Sequence, residues 1–201
     1  MFLSAFVDFT KRHKNWLTLL VFILTYKLCN AMLGKMAGTF YVKIGFTTDQ
    51  IAYVSGTIGP FVTMLGVAIG GILVARFSIL KCLFYLGMVE CLTSLAFALF
   101  YLVGNSLPFF ILTIVFDNVV GGMGGSVFVA FLSGLCNRES SATQYALLSS
   151  LMALSVLFGA SYSGFLVPIV GWYEFFVLTG FLMVPALLLL VRMINDERKV
   201  S

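Results

Sequence analysis

Hydrophobic and polar positions segregate along this chain into long apolar runs separated by short gaps, with the charges almost confined to the gaps and ends. The runs cover 16–41, 50–75, 79–103, 108–135, 142–167 and 172–194. Each exceeds the roughly 20 residues that a helix needs to cross a hydrocarbon core about 30 Å thick. Lipid offers no water to an unpaired N–H or C=O, so each run must satisfy its backbone internally. The pattern predicts an all-α membrane protein, a bundle of six transmembrane helices. A basic, amphipathic lead-in over 1–15 precedes the bundle and a short tail over 195–201 follows it. Composition agrees, with 61% hydrophobic and 10% charged residues and a mean hydropathy of +1.07.

The charges fix an expected orientation. Six spans put both termini on one side, with the second and fourth loops. That side holds Lys11, Arg12, Lys14, Arg76, Lys81, Arg138, Arg192, Arg198 and Lys199, whereas the other holds Lys43. Lys and Arg concentrate in cytoplasmic loops, so both ends are expected in the cytoplasm. The net charge of +4 then reports membrane topology, and no basic face interleaved with aromatics suggests nucleic acid. Phe2, Leu3, Phe6 and Phe9 recur at helical spacing ahead of the basic residues. A cleavable signal has the reverse order, so this segment reads as an interfacial lead-in.

Enzymatic chemistry finds little support. The single histidine, His13, lies in the lead-in, remote from every serine within the runs. A Ser–His hydrolase would lack its base. Cys29, Cys82, Cys91 and Cys136 form no CxxC pair or Cys/His cluster, so no metal or cofactor is expected and the thiols read as small packing residues.

The charges at membrane depth carry more information. Lys27, Glu90 and Asp117 fall roughly 13–16 Å inside their runs at 1.5 Å per residue, close to the bilayer midplane. A charge there costs at least about 2.5 kcal/mol and faces a bundle interior or a watery cavity. Asn30 and Asn118 add polarity beside Lys27 and Asp117. Two readings stay open for this group, an ion pair that holds two helices together and a substrate or proton relay. Glu90 has no polar neighbours in its own run and reads as a buried, neutral acid or a lone relay group. Lys35, two turns beyond Lys27, is placed to snorkel outward. Small residues form a second constellation: Gly121, Gly122, Gly125 and Ser126 in the fourth run, Gly66 and Gly70 in the second, and Ser155, Gly159 and Ser163 in the fifth. That spacing lets helix backbones approach closely in lipid.

Several strings carry a resemblance. They are Tyr26-Lys27-Leu28, Asp117-Asn118-x-x-Gly121-Gly122-Met123-Gly124, Phe128-Val129-Ala130, Leu135-Cys136-Asn137, the run from Ser141 to Ser149, and Gly70-Gly71 followed by Arg76-x-Ser78-Ile79. Together they resemble the C-terminal half of the muropeptide permease AmpG family, within the major facilitator superfamily. The resemblance covers about residues 20–195. It implies a proton-driven importer of anhydromuropeptides in a bacterial inner membrane, with membrane lipid around it. It also implies that the first and fourth helices line a central cavity, the second and fifth face the other half, and the third and sixth lie outside. Lys27, Asn30, Asp117 and Asn118 suit that plan, and Glu90 on the third helix suits it less. The small residues of the second and fifth helices would then mark a docking face. A weak inverted repeat of three helices plus three is expected within such a half.

The chain departs from the family pattern at two places in the cavity. Cys29-Asn30 stands where the family favours Gly-Asp, and Asp117 replaces a Glu. A counterpart of the N-terminal half is also lacking. The expected readings are a half permease working with a separately encoded N-terminal half or as a homodimer, a transport-inactive remnant, or a membrane interaction subunit. Acetyl-CoA-like cargo is an alternative within the transporter class.

Overall fold

The computed structural model describes residues 8–12, 15–137 and 141–200, except for the side chains of 198–200. Phe2, Leu3, Phe6, His13, Lys14 and Arg138 lie outside the described residues. Six helices are long and apolar enough to cross a membrane: α1 (Trp16–Ile44), α2 (Thr48–Arg76), α3 (Ile79–Val103), α4 (Leu107–Leu135), α5 (Ser141–Val170) and α6 (Trp172–Val200). No strand occurs among the described residues.

Local chemistry explains the boundaries. Gly45 ends α1 in the left-handed region at φ 100°, which only glycine adopts without strain. Thr47 then caps α2, accepting from the Gln50 amide while Gln50 returns a bond to the Thr47 N–H. Pro108 sits in the first turn of α4, where its missing N–H costs nothing. Within α2, residues Ala52–Ile58 form a π-turn, and the Gly59 N–H bonds the carbonyl of Val54. Pro60 follows at once; it has no N–H and its ring crowds the carbonyl four residues back, so the regular ladder cannot run through this point.

Short connections make sequential helices antiparallel. The Asn105 amide donates to the Gly45 carbonyl at 2.9 Å, so the α1–α2 and α3–α4 turns share one end. At the opposite end, Asn15 donates to Asp196 at 3.1 Å, joining the two termini of the bundle. A helical turn over 8–12 docks there too. Phe9 is buried, and Asp8 accepts from Gln144 at 3.0 Å and from Asn137 at 3.4 Å.

The packing order is α2–α4–α3–α6–α1–α5. Exchanging α1, α2, α3 for α4, α5, α6 maps this order onto itself: α2–α4 becomes α5–α1, α3–α4 becomes α6–α1, and α3–α6 is retained. Helix α4 runs opposite to α1, so the two halves form an inverted repeat. Two apolar clusters fill the bundle. One gathers Phe22, Tyr26, Leu83, Phe128 and Leu190 toward the end that carries the termini. The other gathers Phe40, Phe97, Phe100, Phe110 and Phe176 toward the opposite end.

The structure corrects the reading of the small residues in two ways. Gly66 and Gly70 face α4, while Ser155 and Gly159 face α1, and Ser163 is fully buried. These residues pack inside the bundle and do not form a docking face. The outer sides of α2 and α5 instead carry Phe61, Met64, Leu65, Phe165 and Ile169, all exposed. Within α4, Gly122 makes the close contact, whereas a Cβ at Gly121 or Gly125 would meet nothing within 4 Å. Residues one position apart point about 100° apart around a helix, so a run of glycines cannot all face one neighbour.

Candidate functional site: a polar cavity at mid-depth

Between the two apolar clusters lies a cavity of about 240 Å³. Its wall includes Lys27, Asn30, Glu90, Asp117 and Asn118, so three helix turns far apart in sequence meet there. Thr63 and Gly122 complete its floor. It opens between α1 and α4, where Gly34 and Gly121 are exposed. Lys35 is exposed and is not part of this wall.

Asn30, Glu90, Asn118 and Lys27 are each held by a neighbour. The Asn30 amide donates to Glu90 Oε2 at 3.2 Å, linking α1 to α3. Asn118 accepts from the Thr63 hydroxyl at 2.8 Å and donates to the Ile114 carbonyl at 2.9 Å. Thr63 also donates to the Gly59 carbonyl at 2.9 Å, one turn back on α2. Asn118 therefore carries one polar tie from α4 to α2. The Lys27 ammonium lies 4.4 Å from the centroid of the Phe128 ring. The negative face of that ring offsets part of the cost of a cation out of water.

Lys27, Asn30, Asp117, Asn118 and Glu90 are thus brought to one cavity. Thr93 and Ser94 of its own helix bond the Glu90 backbone carbonyl, and the carboxyl group gains its partner from α1, where Asn30 reaches it. The sequence does not single out as site groups Thr63, which lines the cavity, or Tyr26 and Phe128, which lie behind Glu90 and Lys27. Thr63 carries a weak signal as a hydroxyl deep in an apolar run; the two aromatics carry none, since aromatic residues abound in the chain.

Cation, carboxylates and amides around a polar space inside a helix bundle can bind a polar solute and exchange protons with it. A six-helix bundle of inverted repeats with such a cavity has the architecture of half a membrane transporter. Comparison with known proteins specifies the kind. The chain is 36% identical over 189 residues to the putative transporter AmpG 4 of Rickettsia conorii, covering 94% of this chain and 45% of that protein. It is 35% identical over 185 residues to the anhydromuropeptide permease of Escherichia coli, covering 92% and 38% respectively. Against the putative transporter AmpG 1 of Rickettsia prowazekii it is 34% identical over 175 residues, or 87% and 39%. No protein-family model matches the chain. Over 87–94% of its length the chain is thus similar to proteins named as AmpG transporters or anhydromuropeptide permease, and it spans less than half the length of these curated relatives.

Proposed function

We propose that the chain forms one half of a proton-coupled permease for anhydromuropeptide-type cargo in a bacterial inner membrane, with both termini in the cytoplasm. The observation that carries this reading is the mid-depth cavity of Lys27, Asn30, Glu90, Asp117 and Asn118 in a chain similar to the Escherichia coli anhydromuropeptide permease. Lys27 supplies a cation for an anionic group of the cargo, and Asn30 and Asn118 supply amides for its peptide and sugar. Glu90 and Asp117 are the groups that exchange protons. The cavity opens between α1 and α4, and a second six-helix half, from a separately encoded chain or a second copy, closes it. Alternating access then comes from one half rocking against the other around the site. The orientation rests on the Lys and Arg partition between the two ends.

Uptake of labelled anhydromuropeptide in a permease-deficient strain tests this reading. Co-expression with a matching N-terminal half should restore concentrative uptake, and the chain alone should not. Robust uptake by a demonstrated monomer would overturn the half-permease reading; no uptake under any pairing would favour a remnant or an interaction subunit. Reporter fusions at Gly104 and Gly171 should read as extracytoplasmic, and one at Asn137 as cytoplasmic.

A further inference from the structure

Glu90 reaches the cavity from α3, a helix that packs on α4 and α6 and scarcely touches α1. Its side chain is 6% exposed, yet Oε2 accepts from Asn30 across the bundle. The route passes α4 at Gly124. A Cβ on that glycine would lie 2.5 Å from Glu90 Oε1 and 3.9 Å from the Tyr26 hydroxyl. Real Cβ atoms do not tolerate the first distance. The other side of the route is closed by Tyr26, which is fully buried and stacked on Phe128 with ring centroids 5.4 Å apart. Its hydroxyl is buried beside the acid without a hydrogen bond of sound geometry. Gly87, one turn before Glu90, lies closest to α6, where a Cβ would be 2.8 Å from Leu187 Cδ2, and it also borders the tyrosine ring, 3.3 Å from Tyr26 Cε2. Gly124 is thus the glycine whose missing side chain leaves room for the carboxyl group itself.

We infer that Gly124 is a positioning residue: by lacking a side chain it leaves open the passage through which the Glu90 carboxyl group meets Asn30 and the cavity. This rests on the reading of Glu90 as a proton-exchanging group. The titratable groups facing Glu90 are Tyr26, Lys27 and Cys29 from α1, Asp117 from α4, and Cys91 on its own helix. Helix α6 carries no titratable residue between Glu174 and Arg192. A methyl group at position 124 would turn the carboxyl group back toward α3 and break the bond to Asn30. Gly121 and Gly125, in open space, impose no such constraint.

The test uses the full chain in membranes and dicyclohexylcarbodiimide, a lipid-soluble reagent that adds to protonated carboxyl groups. Mass spectrometry of the peptide containing residue 90 gives the labelling rate, and Glu90→Gln supplies the blank. Asn30→Ala should change the rate at Glu90 by about threefold, as expected for a membrane hydrogen bond of about 0.6 kcal/mol. In a Gly124→Ala chain the same Asn30→Ala change should have no further effect, whereas in Gly125→Ala the threefold response should persist. An undiminished response in Gly124→Ala overturns the inference and leaves the proton reading intact. Wild-type labelling that does not fall as pH rises, or no adduct at Glu90, overturns the proton reading and the inference with it. Should Gly124→Ala fail to accumulate, adding Glu90→Ala removes the obstructed group; recovery supports the contact, and continued failure overturns it.

Discussion

The interfaces α2–α4 and α1–α5 are equivalent under the inverted repeat, but the sequence builds them from different materials. In α2–α4 the two backbones touch through glycine on both sides. A Cβ on Gly66 would strike the Val119 carbonyl, one on Gly70 would lie 2.8 Å from the Met123 carbonyl, and one on Gly122 would strike the Thr63 carbonyl. In α1–α5 the glycine and serine come from α5, and α1 meets them with Ala31 and its backbone. A Cβ on Gly159 would lie 2.9 Å from the Leu28 carbonyl, and the Ser155 hydroxyl donates to the carbonyl of Leu24. The helix carrying Asp117 and Asn118 is thus seated mainly by backbone shape, with one side-chain tie from Thr63 to Asn118, whereas the helix carrying Lys27 and Asn30 is seated partly by a hydroxyl bond to its own backbone. Shape fixes a spacing that no rotamer can relax; a single hydroxyl bond can be exchanged for another.

That difference has measurable consequences. The largest should come from Gly122→Ala, whose methyl group meets backbone atoms of α2. Overpacking of this kind costs about 1–3 kcal/mol, read as loss of stability in denaturant titration of the detergent-solubilised chain. An unchanged midpoint would remove the rigid interface from the comparison. Ser155→Ala should cost less, about 0.6 and up to about 1.7 kcal/mol, the range for hydrogen bonds between membrane helices. If it costs as much as Gly122→Ala, the two interfaces are equally committed. Thr63→Val should cost about 0.6 kcal/mol by removing the bond to Asn118, and should weaken cargo uptake by a reconstituted pair more than it weakens the bundle. The smallest effect belongs to Gly125→Ala. With open space around it, the methyl group should leave stability unchanged or raise it by up to about 1 kcal/mol through helix propensity.

Legibility in the sequence followed what each signal depends on. The six helices could be read directly, because hydrocarbon demands long apolar runs, and glycine, polar or charged residues interrupt them. Lys27 and Asp117 stood out because a charge inside such a run has few explanations, and Asn30 and Asn118 stood out beside them. The bond from Asn30 to Glu90 was not legible: its partners lie 60 positions apart, and their meeting depends on how α1, α3 and α4 are rotated. Rotation also explains the glycine run of α4, where four-residue spacing selects a face without saying which neighbour that face meets. Gly122 and Gly124 point to different helices, and Gly121 to the cavity mouth. For the same reason the spacing of small residues in α2 and α5 predicts close packing without saying whether the neighbour lies inside the bundle or beyond it. Small residues in a membrane helix mark a close contact, and the closest contacts here lie inside the bundle.

The π-turn in α2 bears on how this chain tolerates insertions and deletions. In an unbroken α-helix, residues five apart are turned by about 140°, so Val54 and Gly59 would address different surroundings. The bond from Gly59 N–H to the Val54 carbonyl stacks them on one face instead. Val54 is thereby buried in the aromatic cluster, while Gly59, Gly66 and Gly70 are buried below it, Gly59 against Asn118 and the others against the backbone of α4. One surplus residue acts as a register key between two packing schemes that a uniform helix could not serve together. Removing a single residue from 52–58 would leave every composition and hydropathy measure of the span intact and still turn Val54 out of its place.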